Sequence, residues 1–100
     1  MTDQPTVRDL VLDRVRNGKQ VILVQYTARE ADELWLRLAD AEGIEVHQRS
    51  HHRLRFTGGG EILIVRYQDE KLKGYTPDAF VGNLPYGQSD IWEAQGAERL

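Results

Sequence analysis

The stretch Val21-Ile22-Leu23-Val24 constrains the fold more than any other part of the chain. Successive strand residues point to opposite faces, so four consecutive apolar residues bury both faces at once. A strand of that kind belongs in the middle of a parallel sheet, with other elements packed above and below it. A parallel neighbour in turn requires a crossover connection, because a tight hairpin joins only antiparallel strands. The next residues supply one. Thr27 and Glu30 have the spacing of a helix-capping pair, and Ala31, Leu34, Trp35, Leu38 and Ala39 follow as an apolar stripe at helical intervals that ends near Gly43. The pattern predicts a helix over 28–42 and a return to a parallel strand, for which Asp78 to Gly82 is the best candidate.

Ahead of the buried strand, Val7, Leu10, Val11 and Val15 recur at helical spacing, with Thr6 placed as N-cap, Asp9 three residues on and Gly18 past the end. These predict a helix over 7–17. Farther on, Ile44 to Phe56 alternates, placing Ile44, Val46, Leu54 and Phe56 on one face and Glu45, His47, Arg49, His51, Arg53 and Arg55 on the other. That predicts a half-exposed strand, with a break near Arg49-Ser50 left open. Thr57-Gly58-Gly59-Gly60 signals a turn into Glu61 to Tyr67, so a β-hairpin is expected at 44–67. Asp69 to Gly74 reads as a short polar connection, and Ser89 to Leu100 as a final helix packing Ile91 and Trp92, with 1–5 and 96–100 frayed. The expected fold is one α/β domain over 1–100: a small mixed sheet with two flanking helices and a β-hairpin.

Composition sets the class of function. One hundred residues, 40% of them apolar, support one hydrophobic core but not a second cofactor domain. With no cysteine there is neither a disulfide framework nor a thiolate metal site. The first residues, MTDQPTVRD, are polar and acidic, unlike a signal peptide. The apolar run at Val21 to Val24 falls far short of the ~20 residues of a membrane span. The expectation is a cytoplasmic protein with no membrane contact. A net charge of -3 argues against non-specific nucleic-acid binding by the chain as a whole.

Four stretches resemble the ATPase core of phage terminase large subunits, a RecA-like P-loop fold. They are Gly18-Lys19-Gln20-Val21-Ile22-Leu23-Val24, Arg29-Glu30-Ala31, Arg55-Phe56-Thr57-Gly58-Gly59-Gly60-Glu61-Ile62, and Leu72-Lys73-Gly74-Tyr75-Thr76-Pro77-Asp78-Ala79-Phe80-Val81. The resemblance spans roughly residues 6 to 84 and implies a reduced RecA-like topology. Its catalytic parts are missing. A P-loop opens a helix and offers backbone N–H groups to phosphate, whereas Gly18-Lys19 is followed by Gln20 and leads into a strand. The acidic pair that would hold Mg²⁺ is replaced by Asn83 and Leu84. A second, shorter stretch, Phe80-Val81-Gly82-Asn83-Leu84-Pro85-Tyr86, is similar to the Asn-x-Pro-Tyr motif of adenine-N6 methyltransferases. That resemblance implies base contact by Asn83 and Tyr86. The glycine-rich loop for the methyl donor is absent after Val24, where the chain reads Gln25-Tyr26-Thr27-Ala28-Arg29. The plainer reading is that Asn83 and Pro85 turn the chain after a strand.

Among polar residues, Arg49, Arg53 and Arg55 share the expected strand face with His47 and His51, a local cationic stripe that suits phosphates. Arg66 and Tyr67 would extend it and add a stacking surface. The alternative is a charged strand face that resists aggregation. On a strand His47 and His51 lie about 13 Å apart, too far to share a metal ion, so no metal is expected. Ser50 and Ser89 lack a nucleophile elbow, and Asp69-Glu70 and Glu30-Asp32-Glu33 read as solvated charge. The sequence thus predicts a non-catalytic binding protein without a cofactor. A protein partner is the first expectation, contacted through Tyr75, Asn83, Tyr86 and Trp92, with a homodimer as one form of it. A nucleic-acid-binding module is the alternative.

Overall fold

The computed structural model describes residues 6–40, 43–48, 52–67 and 75–100, the side chains of Val46 and Tyr86 excepted. In chain order the elements are α1 (Val7–Arg16), β1 (Gln20–Gln25), α2 (Ala28–Leu38), β2 (Ile44–Gln48), β3 (Arg53–Phe56), β4 (Glu61–Arg66), β5 (Ala79–Val81), a 3-10 turn (Pro85–Gly87), α3 (Gln88–Ala94) and β6 (Glu98–Arg99). The six strands among the described residues form one mixed sheet in the order β2-β3-β4-β1-β5-β6. The chain is therefore an α/β domain, as its sequence predicts.

β1 is the central strand, parallel to β4 on one side and β5 on the other. Val21 and Leu23 face α1 and α2, joining Val11, Val15, Ala31, Trp35 and Leu38 in the larger core. Ile22 faces the other way, into a second cluster with Leu63, Val65, Phe80 and Trp92. Both helix starts are capped as expected. Thr6 and Asp9 exchange side chain to backbone hydrogen bonds, and the Thr27 hydroxyl accepts from the Glu30 amide at 3.1 Å.

The parallel partner expected at Asp78 to Gly82 is β5, which pairs with β1 from Val21–Ala79 to Leu23–Val81; β4 is a second parallel partner on the other side, and the chain leaving α2 first enters the edge strand β2. The break left open within Ile44 to Phe56 is present: β2 ends at Gln48 and β3 begins at Arg53, the two run antiparallel, pairing His47 with Leu54 and Gln48 with Arg53, and β3 pairs with β4. Two expectations are corrected. The expected hairpin is a three-stranded meander. Finally, the last helix stops at Ala94. Gly96 adopts φ of 100°, a left-handed conformation that ends helices, and Glu98 and Arg99 pair with Ala79 and Phe80 as an edge strand instead of fraying.

The glycine turn serves packing as well as chain reversal. A Cβ on Gly60 would overlap the Val15 carbonyl, and one on Gly58 would lie 3.0 Å from the Arg16 carbonyl oxygen. The end of α1 thus sits on the turn before β4 with no room for a side chain between them. Across the same end of the molecule Arg14 grips Glu98 through two hydrogen bonds of 2.8 Å each. This fork raises the Arg14 pKa and lowers that of Glu98.

Candidate functional site

The two helical crossovers leave the middle of the sheet in opposite directions. From β1 the chain passes through α2 on one face to reach the edge strand β2; from β5 it passes through α3 on the other face to reach β6 at the opposite edge. Opposite directions across opposite faces give both crossovers the same hand, and they diverge at the boundary between β1 and β5. In open α/β sheets, ligands bind outside the carboxyl ends of strands at such a divergence. Tyr26 and Thr27 after β1 and Gly82 and Asn83 after β5 lie there; Arg66 and Tyr67, at the carboxyl end of β4, lie next to Tyr26 on the other side of β1.

Tyr26 is 73% exposed, the most exposed large hydrophobic side chain among the described residues. Its ring lies 5.3 Å from that of half-buried Tyr67, tilted by 36°. The backbone fixes both: the Tyr67 amide donates to the Gln25 carbonyl at 2.6 Å, and the Tyr26 amide to the Glu30 carboxylate at 3.4 Å. Beside them, Tyr26, Thr27, Ala28 and Arg66 line a shallow depression of about 260 Å³. The Arg66 guanidinium is exposed and joins no ion pair among the described residues. Arg14, Arg29, Arg53, Arg55 and Arg99 are all paired.

The expected arginine stripe does not form one surface. Arg49 and His51 lie outside the described residues. Arg53 and Arg55 sit together on β3, but both meet Glu61, at 2.8 and 4.0 Å. The 2.8 Å contact is an ion pair without hydrogen-bond alignment, shielded from solvent at both the Arg53 Nε and Glu61 Oε1 atoms. His47 points to the opposite face, edge-on to Trp35 at 6.1 Å, because its partner in the register is Leu54 rather than an arginine. His52 lies 3.6 Å from Asp32 of α2. Arg66 alternates with Ile62 and Ile64, which places it on the α2 face at the other end of β4 from Glu61. The folded-back strand and the bulge between Ile44 and Val46 separate the groups that one extended strand would have aligned.

The expected partner contacts are redistributed as well. Trp92 is fully buried; its indole N–H donates to the Tyr75 carbonyl at 2.7 Å and its ring meets Phe80 edge-on at 5.6 Å. It is a core residue and is not available to a partner. Tyr75 is half-buried and packs against the same cluster. Asn83 is exposed, but its amide oxygen accepts from Arg99, which also pairs with Glu93 at 2.8 Å and lies 4.9 Å above the Phe80 ring. The Leu84 amide donates to the buried Ser89 hydroxyl at 2.6 Å, and Pro85 opens the 3-10 turn. Asn83-Leu84-Pro85 therefore turns the chain from β5 into α3. The Tyr86 side chain lies outside the described set. The sequence reading missed Tyr26; its position, after the last residue of a buried parallel strand and before a helix N-cap, is the signal that would have found it.

Comparison with known protein families, with curated proteins and with solved structures finds no match for this chain. No helix among the described residues is long and apolar enough to cross a membrane.

Proposed function

We propose that this domain is a non-catalytic accessory protein that holds a protein partner at the carboxyl edge of its parallel strands, with Tyr26, Tyr67 and Arg66 as the contact centre. The observation that supports this reading is a tyrosine 73% exposed yet held against a second ring, beside an arginine that joins no ion pair among the described residues. Aromatic residues and arginine dominate interface energetics, and an aromatic side chain fixed before binding loses little entropy on contact. The depression of about 260 Å³ is smaller than the ~300 Å³ lower end of small-molecule sites, and fits one partner side chain better than a cofactor. Nucleic acid is the weaker reading: the net charge is -3, Arg53 and Arg55 share Glu61, and at this edge Arg66 is the one arginine without an ion pair among the described residues, little to hold a phosphate backbone. The absence of a P-loop and of the acidic pair from the sequence favours a binding role over nucleotide hydrolysis, and the terminase resemblance is the ground for proposing an ATPase-like scaffold of phage or bacterial origin, working in the cytoplasm. The test is a photo-crosslinking amino acid at position 26, with one at Leu36, also exposed, as control. Protein adducts formed from position 26, absent from position 36 and lost on Arg66→Gln, are expected. Adducts alike at both positions sink the reading, and adducts to DNA or RNA transfer it to the nucleic-acid class.

A further inference from the structure

We infer that the partner segment recognised at this edge carries one acidic residue next to an aromatic or bulky apolar one, the carboxylate meeting Arg66 and the apolar group lying on Tyr26. The inference rests on the proposed function and specifies its ligand.

Charge bookkeeping at the edge singles out Arg66. The Arg29 guanidinium is taken by Glu33 at 3.2 Å, and the Glu30 carboxylate by the Tyr26 amide. The first turn of α2 is capped from within by the Thr27 hydroxyl and has the Glu30 carboxylate beside it, so it does not draw in an anion. Among the described residues at this edge, the positive charge left to be matched is the Arg66 guanidinium, whose planar fork suits a carboxylate in a two-bond arrangement. Tyr67 backs one side of the Tyr26 ring, and the rest of that highly exposed ring is free to meet an apolar side chain. Arg66 and Tyr26 line the same depression, so the two recognised groups must be close neighbours on the partner. Its size admits one large side chain. Exposed Glu30, whose carboxylate accepts from the Tyr26 amide, adjoins the site and disfavours a run of acids. A single acid in otherwise neutral or basic sequence fits better than an acidic tract.

The experiment pans a displayed library of random 12-residue peptides on the intact domain and measures the selected peptides by fluorescence polarisation. Enriched sequences should place one Asp or Glu beside Phe, Trp, Tyr or Leu. Binding should fall about tenfold on Arg66→Gln, and by the same factor when the peptide acid becomes an amide, with no further loss when both changes are combined. Tyr26→Ala should weaken the same peptides. Unchanged urea midpoints of both variants show that folding is intact. Peptides without an acidic consensus, or indifferent to Arg66→Gln, overturn this inference, while their loss on Tyr26→Ala would preserve the proposed surface. Peptides indifferent to both variants, or no enrichment at all, overturn both.

Discussion

Among the described residues, the amino end of the parallel strands is closed by tertiary contacts, whereas the carboxyl end presents exposed side chains. On the closed side the end of α1 rests directly on Gly58 and Gly60, the Gln20 amide donates to Asp78 at 2.8 Å, and Arg14 is locked to Glu98. On the open side the Tyr26 ring and the Arg66 guanidinium are exposed, with no ion pair among the described residues to hold them. The contrast shows where the molecule spends its packing: one end fixes the register of strands and helices, which leaves the other free to present side chains. Binding groups carried on a rigid scaffold are positioned without having to stabilise it.

Substitutions at matching positions test that contrast. Gly60→Ala puts a methyl group into the Val15 backbone and should cost about 3 kcal/mol or more, at the top of the overpacking range, read as a fall in the urea midpoint. Gly82→Ala, at the open end, should cost about 2 kcal/mol. Its Cβ would lie 2.9 Å from the Val24 Cβ at φ of 99°, an obstacle of side chain and backbone conformation rather than a backbone overlap. Were Gly82→Ala the more damaging of the two, the closed and open ends would have been assigned the wrong way round.

The Arg14–Glu98 fork gives a smaller, pH-dependent effect. Glu98 ionises below its ordinary value of 4.5 because Arg14 donates to its charged form. A carboxylate whose folded pKa is depressed contributes stability above its unfolded pKa and loses it as pH falls through the folded value. Glu98→Gln should therefore lower the urea midpoint at pH 7, and the gap to the parent protein should close as the pH falls below about 4.5 and narrow with added salt. A gap that is constant with pH would mean that the fork does not form. Smallest of all, Tyr26→Ala should change stability by less than about 0.5 kcal/mol while removing partner binding. A large loss of stability there would make Tyr26 a structural residue and the open end part of the frame.

The elements set by local chemistry were legible in the sequence. Thr6 and Thr27 announce their helices because a cap is a contact three residues long, and Val21 to Val24 announces a central strand because burial of both faces is written in consecutive residues. The segment 44–56 was not legible in the same way. Alternation is preserved when a strand folds back, so Ile44, Leu54 and Phe56 keep their apolar face whether there is one strand or two, while the polar face is reshuffled by the turn and the bulge. The site suffered for that reason: Arg53 and Arg55 were placed beside His47 by a register that does not exist. Tryptophan hydrophobicity likewise does not say whether a ring is an anchor or a core. Trp92 is fixed by Phe80 and the Tyr75 carbonyl, both distant in sequence, whereas the exposed ring at Tyr26 follows a strand whose end the sequence marks only through the helix cap at Thr27.

The contact of α1 with Gly58 and Gly60 also bears on engineering. Thr57 to Gly59 is exposed and glycine-rich, and has the look of a loop in which an epitope tag or a fused domain would be tolerated. Because the main chain of Val15 and Arg16 lies on it, an insertion there would lift a helix off the sheet rather than lengthen a free loop. Reporter fusions and circular permutants are better opened elsewhere than at this apparently idle turn.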